Sequence, residues 1–82
     1  MILMKPLRYT RHAKNRMRLH RISEFEVESA INHPDFIEPS QEGRLNAWLR
    51  CSERYLRVTY KEESEGILII TAVKKKKGWE VI

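Results

Sequence analysis

The chain has 82 residues and a formal charge of +5, from 16 Lys and Arg against 11 Asp and Glu. That length supports one domain, residues 1–82, with a modest core burying about 60–65% of the unfolded surface, and excludes a second catalytic lobe. The basic balance favours a polyanion or an acidic protein as partner, although Lys74, Lys75, Lys76 and Lys77 supply four of the positive charges and equally suit a solvated face.

In chain order, the segment up to Thr10 reads as extended, because Pro6 has no N–H and biases Lys5 away from helix. Thr10 caps a first helix with Ala13 and Met17 as its apolar stripe, closing among the basic residues between Leu19 and Arg21. Ser23 opens a second helix: Ser23 with Glu26 has capping-box spacing, and Ile22 with Val27 spans it as a hydrophobic staple. Its buried side is expected to carry Phe25, Val27, Ala30 and Ile31, and it must end before Pro34.

Beyond Phe36 the period becomes alternating. Phe36 to Glu38 is a short strand ended by Pro39, followed by a turn at Gln41, Glu42 and Gly43. Leu45, Ala47, Leu49 and Cys51 alternate with Asn46, Trp48 and Arg50, and Leu56, Val58 and Tyr60 alternate with Tyr55, Arg57, Thr59 and Lys61, predicting an antiparallel pair. After a polar turn over Glu62 to Gly66, the apolar run Ile67 to Val73 belongs in the sheet interior. Trp79, Val81 and Ile82 return to the core, extend an edge or dock on a partner. The expected fold is α+β, two short N-terminal helices packed on a mainly antiparallel sheet of about four strands.

Two groups of residues carry chemistry. His12, Arg16 and His20 repeat at four-residue spacing along one side of the first helix. An imidazole exchanges protons near neutral pH and a guanidinium grips phosphate, which suits phosphodiester cleavage; equally, His12 packs or caps while Arg16 pairs with Glu26 or Glu28. The polar strand face brings together Trp48, Arg50, Tyr55, Arg57 and Lys61, the ingredients of base stacking and phosphate contact, or else an ordinary aromatic sheet cover with soluble cations. Lys74 and Lys76, leaving the last strand in register with Leu68, Ile70 and Ala72, are electrostatic RNA contacts rather than catalysts.

Several classes are not expected. His12, His20, His33 and Cys51 lack zinc-type spacing, so neither a metal nor a cofactor is predicted, and Gly43, Gly66 and Gly78 are isolated turn glycines rather than a phosphate loop. Cys51 lies on an apolar strand face and reads as a core thiol. One cysteine makes no internal disulfide and fits a reducing compartment, Met1 to Pro6 lacks a signal-peptide pattern, and no apolar run approaches the ~20 residues of a membrane span. A soluble cytoplasmic protein without a membrane partner is expected.

The string Tyr9-Thr10-Arg11-His12-Ala13 with Arg16-Met17, then Ile22-Ser23, Asn32-His33-Pro34, Arg54-Tyr55-Leu56-Arg57-Val58 and Thr71-Ala72 resembles a prokaryotic family of small uncharacterised domains, its His-Ala-x-x-Arg-Met string being the most specific part. That family is similar in pattern to RelE/ParE-type and BrnT-type toxins of toxin–antitoxin systems. The resemblance implies a compact sheet with two helices against it and, in the RelE branch, an endonuclease acting on messenger RNA, often at the ribosome, and neutralised by an antitoxin over the basic surface. By type and location, Arg50, Tyr55, Arg57 and Lys74 are the counterparts of the dispersed RelE-type site residues, whereas His12 and Arg16 have no RelE equivalent. The expected function is a toxin-like RNA-binding protein and metal-independent endoribonuclease: His12, Arg16 and Tyr55 at the catalytic site, Trp48, Arg50, Arg57, Lys61, Lys74 and Lys76 on RNA. The alternative is a non-catalytic nucleic-acid-binding or protein-interaction module.

Overall fold

The computed structural model describes residues 5–78. Trp79, Val81 and Ile82 lie outside the described residues. The elements run β1 (Leu7–Tyr9), α1 (Arg11–His20), α2 (Glu24–Asn32), β2 (Phe36–Pro39), a 3-10 turn at Gln41–Gly43, β3 (Leu45–Cys51), β4 (Arg54–Glu63) and β5 (Gly66–Lys75). The strands form one five-stranded sheet in the order β1-β5-β4-β3-β2. The α+β class is as expected, but the sheet has a fifth strand and is mixed, because β1 pairs parallel with β5 in the register Leu7 with Ile67 and Tyr9 with Ile69.

Both helices begin where the sequence places their caps. Ala13 N donates to Thr10 Oγ1 at 2.9 Å, and Ser23 and Glu26 complete a reciprocal capping box at 2.9 and 3.1 Å. α1 ends at Arg21 in the left-handed region, φ 55°, and Ile22 N donates back to Met17 O at 2.8 Å, turning the chain sharply into α2. Thr10 also locks α1 to the sheet, its hydroxyl donating to Ile70 O at 3.0 Å and its N–H to Ile69 O at 3.1 Å.

One sheet face carries the helices. Ala13, Met17, Ile22, Val27 and Ala30 pack there with Ala47, Leu56, Val58, Tyr60, Ile67, Ile69 and Ala72. Phe25 departs from its expected place and is 76% exposed. At 100° per residue it lies 200° from Val27, so one helix face cannot bury both. The β4–β5 turn is also tighter than predicted: Glu62 and Glu63 pair with Ile67 and Gly66, leaving only Ser64 and Glu65 between strands.

A bulge resets β5. Thr59 faces Thr71 while the next residue, Tyr60, faces Ile69, so Ile70 is the extra residue. Lys74 therefore shares the helix-side face with Ala72 and Ile69, and not with Leu68 and Ile70 as uninterrupted alternation implies.

Candidate nucleic-acid interface

Because strand side chains alternate between faces, the residues between the core positions of β3 and β4 point away from the helices, and no described helix covers them. Antiparallel pairing sets Trp48 beside Arg57 and Arg50 beside Tyr55. The Arg50 guanidinium lies 5.7 Å from the Tyr55 ring centre and that of Arg57 lies 5.8 Å from the Trp48 ring, both within cation–π range. Arg50 is exposed and Arg57 half-buried, with its Nε buried and without a hydrogen-bond partner among the described residues. Exposed Lys61 lies on the same face, four residues along β4 from Arg57, and exposed Lys75 pairs with Tyr55.

The aromatic rings are foundations of this surface. Trp48 is only 7% exposed, and its Nε1 donates to Glu38 Oε2 at 2.9 Å. Asn46 Nδ2 donates to the same oxygen at 3.1 Å, and Thr59 Oγ1 donates to Asn46 Oδ1 at 2.7 Å. The bonds from Trp48 and Asn46, with the field of Arg57, hold the Glu38 carboxyl below its ordinary range against the opposing effect of burial. Tyr55 has a covered ring as well, since a methyl on Gly78 would fall 2.3 Å from it.

The other expected site residues lie elsewhere. α1 packs on β5 through Ala13 and Met17, so His12, exposed, and Arg16, half-buried, belong to the helix layer, on the opposite side of the sheet from Tyr55 and Arg57. The structure thus divides the expected His12, Arg16 and Tyr55 constellation in two. Lys74 is also on the helix side, its Nζ 3.1 Å from Glu26 Oε2 at the start of α2. Burial pushes the Glu26 carboxyl up, but the Ser23 N–H and Lys74 outweigh it and leave it below the ordinary range. Glu26 therefore pairs with Lys74 rather than with Arg16. Lys76 is exposed just past the end of β5. Cys51 packs against the core, where burial foremost, with Glu26 and Asp35 opposing Lys74, pushes its thiol up and keeps it protonated.

Sequence reading missed Glu38 and Lys75. Glu38 stood as one polar residue in a short strand, with nothing local to show that it reaches Trp48 two strand positions away on the neighbouring chain segment. Lys75 takes the place expected of Lys74 because of the Ile70 bulge, which leaves no mark in an all-apolar run.

Arranged this way, the open face can hold an extended polyanion against fixed cations, while His12 and Arg16 offer a separate imidazole and guanidinium on α1. Among the described residues, no group of His, Cys, Asp and Glu is placed to hold a metal ion, and no helix is long and apolar enough to cross a membrane. No curated protein and no solved structure matches the chain. A family profile does, over residues 9–74, from the tyrosine that closes β1 to the lysine that pairs with Glu26. The chain belongs to the family described as a domain of unknown function, DUF4258.

Proposed function

We propose that the protein is a toxin-like RNA-binding protein that holds the phosphodiester backbone on the open face of its sheet. The observation that carries this reading is the pair of guanidinium groups seated on aromatic rings of adjacent strands, Arg50 on Tyr55 and Arg57 on Trp48. A guanidinium held beside a ring by cation–π attraction loses less freedom on binding than an unsupported side chain and still has N–H groups to offer a phosphate. Lys61 and Lys75 extend the cationic track. With both rings engaged beneath the arginines, phosphate contact outweighs base reading, so binding is strongly salt dependent and tolerant of sequence. The similarity in pattern to RelE/ParE-type and BrnT-type toxins supports messenger RNA, at the ribosome, as the target and an acidic antitoxin as the partner that covers this face in the cytoplasm.

A second reading, a metal-independent endoribonuclease, is favoured by the spacing of His12 and Arg16 on α1, one helical turn apart and both accessible. There His12 takes the proton of a ribose 2′-hydroxyl, whose oxygen attacks phosphorus. Arg16 offsets the added negative charge, and the 5′-oxygen leaves with a proton from water, giving a 2′,3′-cyclic phosphate. Tyr55, across the sheet, has no part in that step.

Anisotropy of a labelled single-stranded RNA in EDTA, over a series of salt concentrations and with the RNA then run on a gel, tests both. Arg50→Ala with Lys61→Ala is expected to weaken binding and to reduce the salt slope by about 0.7 for each phosphate that the variant no longer neutralises. An unchanged slope overturns the open-face reading. Cleavage products present with wild type and absent in His12→Ala with Arg16→Ala establish the nuclease; intact RNA throughout, and again with RNA presented on ribosomes, removes it.

A further inference from the structure

Past Lys75, where β5 ends opposite Tyr55, the chain bends through Lys76 and Lys77 and brings Gly78 back onto the Tyr55 ring. A Cβ on Gly78 would fall 2.3 Å from Cδ2 of that ring, 2.6 Å from Cγ and 2.7 Å from Cε2. An approach in the plane of a ring leaves the two neighbouring carbons much farther off than the nearest one. Three distances this similar therefore put Gly78 over the face of the ring, where a stacked base would lie. No residue with a side chain fits there, so a glycine is required by the close approach of its backbone.

The cover is lightly fastened and the ring is not. Lys76, Lys77 and Gly78 make no hydrogen bond and no ion pair among the described residues, whereas β5 up to Lys75 is tied into the ladder of β4. A segment without such bonds opens at little cost in free energy. Tyr55 stays in place when it does, because its backbone is paired between Arg50 on β3 and Lys75 on β5. Arg50 and Lys75 flank the ring, and Lys76 and Lys77 span the short path from Lys75 to Gly78, all four exposed. A polyanion drawn to these cations thus arrives at a ring whose cover is loose. Trp48 differs, since it is 7% exposed and its indole is bonded to Glu38 beneath Arg57.

We propose that the Tyr55 ring is a stacking seat for one nucleobase, closed in the free protein by Gly78 and opened when RNA lifts the tail away. The proposal rests on the RNA-binding reading and adds to it a single base contact without sequence preference, since every base has a π-face. The exchange sacrifices no charge: Lys76 and Lys77 stay within two residues of the end of β5 whether Gly78 is seated or lifted. They remain beside the same stretch of phosphodiester backbone.

The test compares wild type with Gly78→Ala, whose Cβ cannot share the space of the ring, by anisotropy of a labelled single-stranded RNA and of an abasic strand of equal length. The RNA is expected to bind Gly78→Ala severalfold more tightly than wild type, and the abasic strand to bind both equally. Equal or weaker binding of RNA by Gly78→Ala, or the same gain for the abasic strand, overturns the proposal. NMR of the wild-type chain supplies a readout free of any substitution. Saturating RNA should move the Lys77 and Gly78 amide signals and shift the Tyr55 ring protons upfield, while the abasic strand leaves the ring protons in place. Ring protons unmoved by bound RNA overturn the proposal. RNA binding that keeps its salt slope while these signals stay fixed leaves the open-face reading standing without the exchange; a wild type that binds neither strand ends both.

Discussion

Glu38 accepts hydrogen bonds from two side chains of the neighbouring strand, and one of them belongs to the ring on which Arg57 rests. The carboxylate thus fixes the indole, the indole supports the guanidinium, and the half-buried guanidinium in turn favours the charged carboxylate. Its pKa is held below the ordinary 4.5, so Glu38 stabilises the fold above that value and the contribution is lost as pH falls through the lower, folded-state pKa. Thermal unfolding followed from about pH 6 downward is therefore expected to show a falling midpoint on the acid side, with a shallower fall in Glu38→Gln. An identical acid limb in the variant would show that the carboxylate does not contribute in this way. The same substitution disturbs the seat of Trp48, so its RNA affinity should drop although Glu38 repels phosphate; a gain in affinity would show that the negative charge outweighs its supporting role.

The strand that the sequence presents only as an extended tail begins its pairing with β5 at a close approach to Gly66. Ile67 N donates to Pro6 O at 2.9 Å, and a Cβ on Gly66 would fall 2.6 Å from that same oxygen. Gly66→Ala must push backbone against backbone, and we expect a loss of about 1–3 kcal/mol in urea unfolding together with faster hydrogen exchange at Ile67. Thr10→Ala removes both the α1 cap and the bond to the bulged Ile70, for a loss of about 1–2 kcal/mol. Wild-type stability in both variants would mean that β1 is not held as described. Thr10 and Ser23 were legible because capping is written within four residues, and β3 and β4 because their faces alternate. β1 was not, since a three-residue parallel partner sixty positions away has no local signature, and Ile70 was hidden because Ile67 to Ile70 are apolar on both faces and show no slip in register. Phe25 misled because hydrophobicity alone assigned it to a face that helical geometry denies it.

At the scale of the molecule, the sheet is a wall between two kinds of chemistry that lay side by side in the sequence reading. His12 and Arg16 ride on α1, which covers β5 from one side, while Arg50, Arg57 and Lys61 stand on the other. Spacing along the chain could show that each set shares a face but not that the faces oppose, because that depends on how α1 docks. One RNA phosphate cannot be gripped by both sets. Substitutions without shared partners add in free energy, whereas groups on one ligand couple, so the losses in RNA affinity from Arg50→Ala and Arg16→Ala should sum in the double variant to within about 0.5 kcal/mol. Anisotropy at one fixed salt concentration measures all four proteins of that cycle. Additivity, with the larger loss in Arg50→Ala, fits a strand of RNA lying on the open face alone. A coupling well above that bound would place both arginines on the same stretch of backbone, requiring RNA to wrap the β1 edge and making His12 a neighbour of the bound strand after all.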